Sequence, residues 1–282
     1  MAEVTAAMVK ELRDETQLPM MDCKKALVEA GGDKEAAKQA LREKGLKLMD
    51  GRRDRATEEG RIAVSAGVDQ SAGAIIELQV ESAPVAGNPE VIDLANALAK
   101  QLATGPGAAT GEELWDQPSP AHEGKTLRAV KDDLENRIRE VFKLARIARV
   151  DGPCGGYVHF DGKSGVLLSI EGGNDELAKD VSMHVAAMKP SATTTEDLDP
   201  AEVEKERAIL VEAAKKEGKP EKIIEKMVDG RMRNFYAEKV LAEQPFVKDD
   251  KQTVGKIAKA GGMTLKGFTA WKLGDSTPAV AG

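Results

Sequence analysis

The sequence predicts an α+β fold with a duplicated core, and three observations carry that prediction. First, a unit of strand, loop and helix occurs twice. Residues 74–80 read as a strand, 81–90 as a loop and the run up to Leu102 as a helix. The second copy passes from Val166-Leu167-Leu168-Ser169-Ile170 through Glu171-Gly172-Gly173-Asn174-Asp175 into a helix ending near Met188. Second, each copy follows a shorter alternating run, 61–68 and 157–160, joined to it through turn-forming residues. Each therefore reads as a hairpin and then a helix, giving two small antiparallel sheets. Third, residues 1–50 and 200–235 carry helical periodicity alone, which predicts a three-helix module at the start and a helical hairpin inserted in the second repeat. The loop of the first copy is twice as long as that of the second, and an enlarged loop on a repeated scaffold is where function is expected.

Taken in order, Thr5 is placed to cap a helix running to about Glu15, with Val9 and Leu12 on one face. Pro19 suits the first turn of a second helix carrying Met20, Met21, Cys23, Ala26, Leu27 and Val28. Gly31-Gly32 ends it, Asp33 caps a third helix with Ala36, Ala37, Ala40 and Leu41, and Gly45 closes that one. So small a module is marginal alone and is expected to dock onto something. A charged connector containing Arg52-Arg53-Asp54-Arg55, read as a solvated linker, leads to the first hairpin. The repeat helices place Val91, Leu94, Leu98 and Leu102, and then Leu177, Val181, Val185 and Met188, on single faces that should lie on their own sheets. Residues 103–107 and the Pro-rich stretch 115–123 are loop, a helix follows near 125–136, and 141–150 supply a third strand. The inserted hairpin pairs 200–217 (Val203, Leu210, Ala214) with 221–235 (Ile223, Met227, Met232) across Gly218-Lys219-Pro220. The chain returns through Gln244-Pro245-Phe246-Val247, a helix over 252–259 and a closing strand over 265–273. The domain plan is thus a helical module at 1–50, a connector at 51–60, and a first core subdomain at 61–151. A second subdomain follows at 152–190 with 237–274, then the hairpin insertion at 191–236 and a disordered tail at 275–282.

Composition narrows the function classes. The net charge is -7 and aromatics make up 3% of residues, so the chain is poorly suited to phosphate backbones or base stacking, and direct nucleic-acid contact is not expected. No apolar run approaches the ~18 residues that cross a bilayer, and the first residues carry no leader pattern, so a cytoplasmic protein without membrane contact is expected. The two cysteines, Cys23 and Cys154, fit a reducing compartment, and Cys23 reads as a small buried packing residue. His122-Glu123-Gly124-Lys125-Thr126 ends like a phosphate loop, but Ser119 stands where its first glycine belongs. Gly152-Pro153-Cys154-Gly155-Gly156 leads into a strand, not a helix, and is read as a turn. His122, His159 and His184 are scattered without metal-ligand spacing, and no nucleophile set stands out. No catalytic residue, metal or cofactor is assigned, and the chain is not read as an enzyme. His184, in Met183-His184-Val185 on the second repeat helix, leaves two readings open. It is a hydrogen-bonded core histidine, or a partly exposed residue at the edge of a partner interface.

Leu12-Arg13 with Thr16, then Met20-Met21-Asp22-Cys23-Lys24-Lys25-Ala26-Leu27, Gly32-Asp33 and Ala36-Ala37, resembles the amino-terminal signature of bacterial elongation factor Ts. The likeness continues in the family's order through Met183-His184-Val185-Ala186-Ala187, Gly218-Lys219-Pro220, Glu225-Lys226-Met227-Val228-Asp229-Gly230-Arg231-Met232 and Gln244-Pro245-Phe246-Val247. The resemblance implies a UBA-like amino-terminal module that contacts the GTPase domain of elongation factor Tu, a duplicated core and a coiled-coil hairpin insertion. It also implies that the helix around His184 meets the partner's third domain, which favours the interface reading of that residue. Partner binding is thereby assigned to Leu12, Arg13, Met20, Met21, Asp22, Cys23, Lys24, Met183, His184 and Val185. The implied partner is elongation factor Tu, GDP-bound and nucleotide-free, and the implied activity is guanine-nucleotide exchange during translation elongation. The hairpin is also a candidate surface for self-association.

One departure stands out. The family's long loop usually carries Thr-Asp-Phe-Val, whose Asp and Phe push against the partner near its magnesium and phosphate site. The matching positions here are Ser82, Ala83, Pro84 and Val85, so the carboxylate and the aromatic wedge are absent and Pro84 only stiffens the loop. The extra carboxy-terminal helix of some members is likewise not expected here. Two other readings stay open. One is a protein of the same fold that holds elongation factor Tu with weak or no exchange activity, and the other is an enzyme using His184, His159 and Cys154 in a cleft between the repeats.

Overall fold

A computed structural model of the chain describes residues 4–217 and 220–275. Gly218 and Lys219 of the expected turn, and positions 276–282 of the expected tail, lie outside that set. Within it, one compact unit holds residues 4–63, 76–147 and 273–275, and a second holds 64–75 and 148–272.

Caps set the first three helices. α1 (Ala6–Thr16) begins where the Thr5 hydroxyl accepts the Met8 N–H, α2 (Met20–Glu29) begins after Pro19, and α3 (Lys34–Asp50) begins where Asp33 accepts the Ala36 N–H. Together they enclose Leu12, Leu18, Cys23, Leu27, Ala37 and Leu41. Gly45 does not close the third helix as expected, since α3 continues to Asp50. A Cβ on Gly45 would lie 2.2 Å from Asn136 Oδ1, so the glycine permits a close helix approach and terminates nothing.

β1 (Glu59–Ser65), β2 (Ala72–Val80) and a later strand, β3 (Lys143–Asp151), form a sheet in that order. Between β2 and β3 come the one-turn α4 (Ala83–Ala86), α5 (Pro89–Thr104), the short α6 (Gly111–Trp115) and α7 (Leu127–Ile138). The expected ten-residue loop is therefore partly helical, because Pro84 and Pro89 both suit first-turn positions and the Asn88 side chain caps α5 by accepting the Glu90 N–H. α5 buries Val91, Leu94, Leu98 and Leu102 as their spacing predicts, each contributing about 1.5–3 kcal/mol by removal from water. The buried Glu77 of β2 is paired by Arg146 of β3, whose Nε donates at 2.9 Å.

The second unit contains β4 (Cys154–Val158), β5 (Ser164–Gly172) and α8 (Asp175–Met188), which Asn174 caps. Then come α9 (Pro200–Lys216), α10 (Glu221–Lys239), β6 (Pro245–Phe246), β7 (Asp249–Thr253), α11 (Val254–Ala260) and β8 (Met263–Lys272). β4, β5 and β8 pair antiparallel, with Gly156 opposite Leu167 and Leu168 opposite Phe268, and β6 pairs antiparallel with β7. β4 starts three residues before the expected Tyr157. Gly155 and Gly156 look like turn formers in the sequence, but a Cβ on Gly155 would lie 2.8 Å from Ala178 of α8 and one on Gly156 would lie 2.7 Å from Val64, so each glycine admits a close neighbour on the strand. The buried face of α8 is rotated from the expected one. Ala178, Val181, Ser182, His184 and Val185 face inward, Leu177 is half-buried and Met188 is exposed. α9 and α10 close around their own cluster of Ala214, Ile224, Val228 and Met232, with Arg207–Asp229 and Lys239–Glu202 ion pairs beside it. The expected Ile223 is 48% exposed, one residue out of phase with Ile224.

Candidate functional site

The enlarged loop after β2 is held at both ends. At its start the Ser82 hydroxyl donates to Glu140 Oε1 at 2.6 Å and the Ser82 N–H donates to Oε2 at 3.1 Å. The adjoining Glu81 accepts the Val141 N–H at 2.9 Å and Arg55 Nη1 at 3.0 Å. Farther on, Arg61 Nη1 donates to the Ala86 carbonyl at 3.3 Å, and Arg137 makes a two-pronged pair with Glu90. The Arg137 hydrogen bonds hold the Glu90 carboxyl below its ordinary range, and Glu90 raises the guanidinium in return, so the pair stays ionised. Between these clamps Ala83 and Pro84 are exposed while Ser82 and Val85 are half-buried. The apex thus presents a stiff apolar surface without charge. The basic run read as a solvated linker is part of the clamping. Arg52 donates to Arg139 O at 2.7 Å, Arg53 pairs with Asp50, and Arg55 pairs with Glu81.

The amino-terminal residues assigned to partner binding divide into two groups. Met20 (51% exposed), Met21 (72%), Arg13 and Lys24 face solvent, and exposed Val28 extends the apolar patch. Asp22 is half-buried between Lys44 Nζ at 3.1 Å and Arg139 Nη2 at 3.2 Å. Leu12 and Cys23 are fully buried in the module, with the Cys23 thiol 3.8 Å from Leu18 O. In this arrangement they shape the surface from beneath.

On α8 the partly exposed setting expected for His184 gives way to the core setting. The side chain is 0% exposed, and Val185 is buried beside half-buried Met183. The Val247 N–H donates to Nδ1 at 3.3 Å, so the ring hydrogen is assigned to Nε2, which donates to Gln244 Oε1 at 2.9 Å. The Gln244 amide nitrogen donates in turn to Glu238 O at 2.9 Å, and the Phe246 ring packs 5.7 Å from the imidazole. Burial pushes the His184 pKa down, and the Gln244 hydrogen bond opposes that in part. What reaches solvent here is Val247 and Met188. Gln244, the first residue of Gln-Pro-Phe-Val, has no sequence pattern that marks this role, because His184 lies 60 positions away. Glu140 had no signal in the sequence, because its partner Ser82 lies 58 positions away.

The remaining chemistry-bearing residues have separate local partners. The Cys154 thiol donates to Gly152 O, His159 bonds Tyr157 Oη through Nδ1, and exposed Phe160 packs at a tilt against His159 with ring centroids 4.5 Å apart. Thr126 of the Gly-Lys-Thr run caps α7 by accepting the Ala129 N–H. Among the described residues no group of three or more His, Cys, Asp or Glu side chains is arranged to hold a metal, and no helix is long and apolar enough to cross a membrane.

Comparison with known proteins places these features in a family context. The family described as Elongation factor TS matches residues 84–275. Elongation factor Ts of Hyphomonas neptunium is 44% identical over 294 aligned residues, covering 100% of this chain and 95% of that protein. The Azoarcus sp. protein of the same name is 40% identical, covering 98% and 92%, and that of Aquifex aeolicus is 40% identical, covering 94% and 96%.

Proposed function

This chain belongs to the elongation factor Ts family, and on that footing we propose that it acts in the cytoplasm as a guanine-nucleotide exchange factor for elongation factor Tu. An exchange factor performs no covalent step. It binds the nucleotide-free GTPase better than the nucleotide-bound form, and linkage requires that it weaken nucleotide by the same factor. Loosening GDP ~1,000-fold needs about 4 kcal/mol of differential binding, which separate contact patches can supply together. The UBA-like α1–α3 module grips the GTPase domain through Arg13, Met20, Met21 and Lys24, with Leu12, Asp22 and Cys23 holding that surface in shape. The second subdomain engages another domain of the partner near Met183, with His184 and Val185 acting from beneath. The loop Ser82-Ala83-Pro84-Val85 strains the partner's magnesium and phosphate region. α9 and α10 form a coiled-coil insertion, on which exposed Ile209 and Ile223 support self-association.

The observation that carries this reading is the loop itself, clamped at both ends with its apex in solvent. A stiff projection of this kind delivers strain through shape, where a flexible one would yield. Stopped-flow measurement of labelled GDP leaving elongation factor Tu decides the matter, with acceleration expected at saturating protein. Tight complex formation with an unchanged release rate would instead identify a binding protein without exchange activity. In the double variant Ala83→Asp with Pro84→Phe the release rate is expected to rise severalfold, because a carboxylate and a wedge are added to a loop already held in place. An unchanged rate would place the strain elsewhere.

A further inference from the structure

Two charged residues at the end of α7 join the amino-terminal surface to the loop. Arg139 closes the helix in the left-handed conformation, φ 69°, with its N–H donating to Glu135 O at 2.8 Å. Its guanidinium reaches Asp22 of α2 at 3.2 Å, and its carbonyl oxygen accepts from Arg52 at 2.7 Å. The next residue, Glu140, turns to the loop, where both of its carboxylate oxygens are occupied by Ser82. Asp22 adjoins Met21, the most exposed of the methionines on α2, and Ser82 adjoins the exposed apex Ala83-Pro84. The spacing of the two surfaces is thus set by one tight turn of backbone with a side-chain grip on each side.

We infer that the Arg139-Glu140 pair is the positioning element of exchange, holding the α2 surface and the 82–85 loop in one relative placement so that both engage a single GTPase. The inference rests on the exchange reading above. Neither residue needs to touch nucleotide or metal, because the effect passes through preorganisation of groups that do the contacting. A carboxylate that takes a hydroxyl and a backbone N–H from the same residue fixes both the direction and the height of the loop start.

The experiment measures GDP release from elongation factor Tu against the concentration of full-length variants. Glu140→Gln and Ser82→Ala are expected to lower the saturating release rate ~10-fold while leaving the half-saturating concentration within ~2-fold. Ser82→Thr, which keeps the hydroxyl, is expected to recover most of the rate lost in Ser82→Ala. Arg139→Asn retains a residue that tolerates the left-handed conformation and loses the reach to Asp22, so it should lower the saturating rate without a drop in melting temperature. In the free chain, amide hydrogen exchange at Ala86 and Gly87 should quicken in Glu140→Gln. Wild-type saturating rates in Glu140→Gln and Ser82→Ala would overturn the inference alone, as would losses that only track melting temperature. A wild-type chain that fails to accelerate release would overturn the exchange reading and this inference with it.

Discussion

At His184 a buried imidazole sits between one donor and one acceptor, and this makes its protonation costly. A second ring hydrogen would face the Val247 N–H, and burial already holds the group below its ordinary value of 6.5. The unfolded chain therefore takes up the proton first, so the stability contributed by the neutral ring is complete above about pH 6.5 and is lost as pH falls toward the depressed folded value. Melting temperature by calorimetry should decline between about pH 7 and 5, and His184→Asn should flatten that part of the profile. A slope unaffected by the substitution would assign the dependence to another group. Gly45 gives a second prediction. Gly45→Ala gains helix propensity worth about 1 kcal/mol but displaces the Asn136 amide, which lies 2.2 Å away at the end of a half-buried side chain, so the two effects should cancel to within about 1 kcal/mol in urea unfolding, and adding Asn136→Ala should release the propensity gain. Sequence pattern located His184 on an inward helix face yet could not supply Gln244, whose role depends on a contact across 60 positions. It misread Gly45 because a glycine that ends a helix and one that admits a neighbour look alike in one dimension.

At the scale of elements, existence and type were readable where periodicity was long, as in α5, and where a side-chain cap marks the start, as in α1 and α3. Misreadings arose where tertiary contact overrides local preference. The glycines of β4 belong to a strand because α8 packs on Gly155 and Val64 on Gly156, and the seam of the α9 and α10 hairpin runs through Ile224 and Val228 although Ile223 fits the spacing equally well. That seam is separable from the sheet cores. Val228→Asp would leave an unpaired charge among Ala214, Ile224 and Met232, and the expected outcome is loss of far-ultraviolet helical signal matching α9 and α10, with 17 and 19 residues. The signature of β5 pairing, read as amide protection in Val166 to Ile170, should persist. Loss of both together would show that the hairpin supports the sheet.

For the whole molecule, the family signal was legible because it is spread along the chain, in short motifs whose order is itself informative. The placement of the loop was legible too, through its length relative to its twin. Its rigidity was not, because Arg55, Arg61, Arg137 and Glu140 are ordinary surface charges in a chain that is 32% charged. Linkage supplies the test at this scale: the factor by which the chain lowers GDP affinity of elongation factor Tu must equal the factor by which GDP lowers affinity for the chain. Titration calorimetry in both directions should close that cycle to within about twofold, and a cycle that stays open would rule out a single three-component equilibrium. Cys23 and Cys154, the two thiols of the sequence, are both shut away in packed interiors, and burial pushes the Cys154 thiol up. Maleimide dyes at neutral pH should therefore ignore the native protein. Phe160→Cys, at a side chain 90% exposed, then becomes its sole addressable handle for following capture of the GTPase by fluorescence.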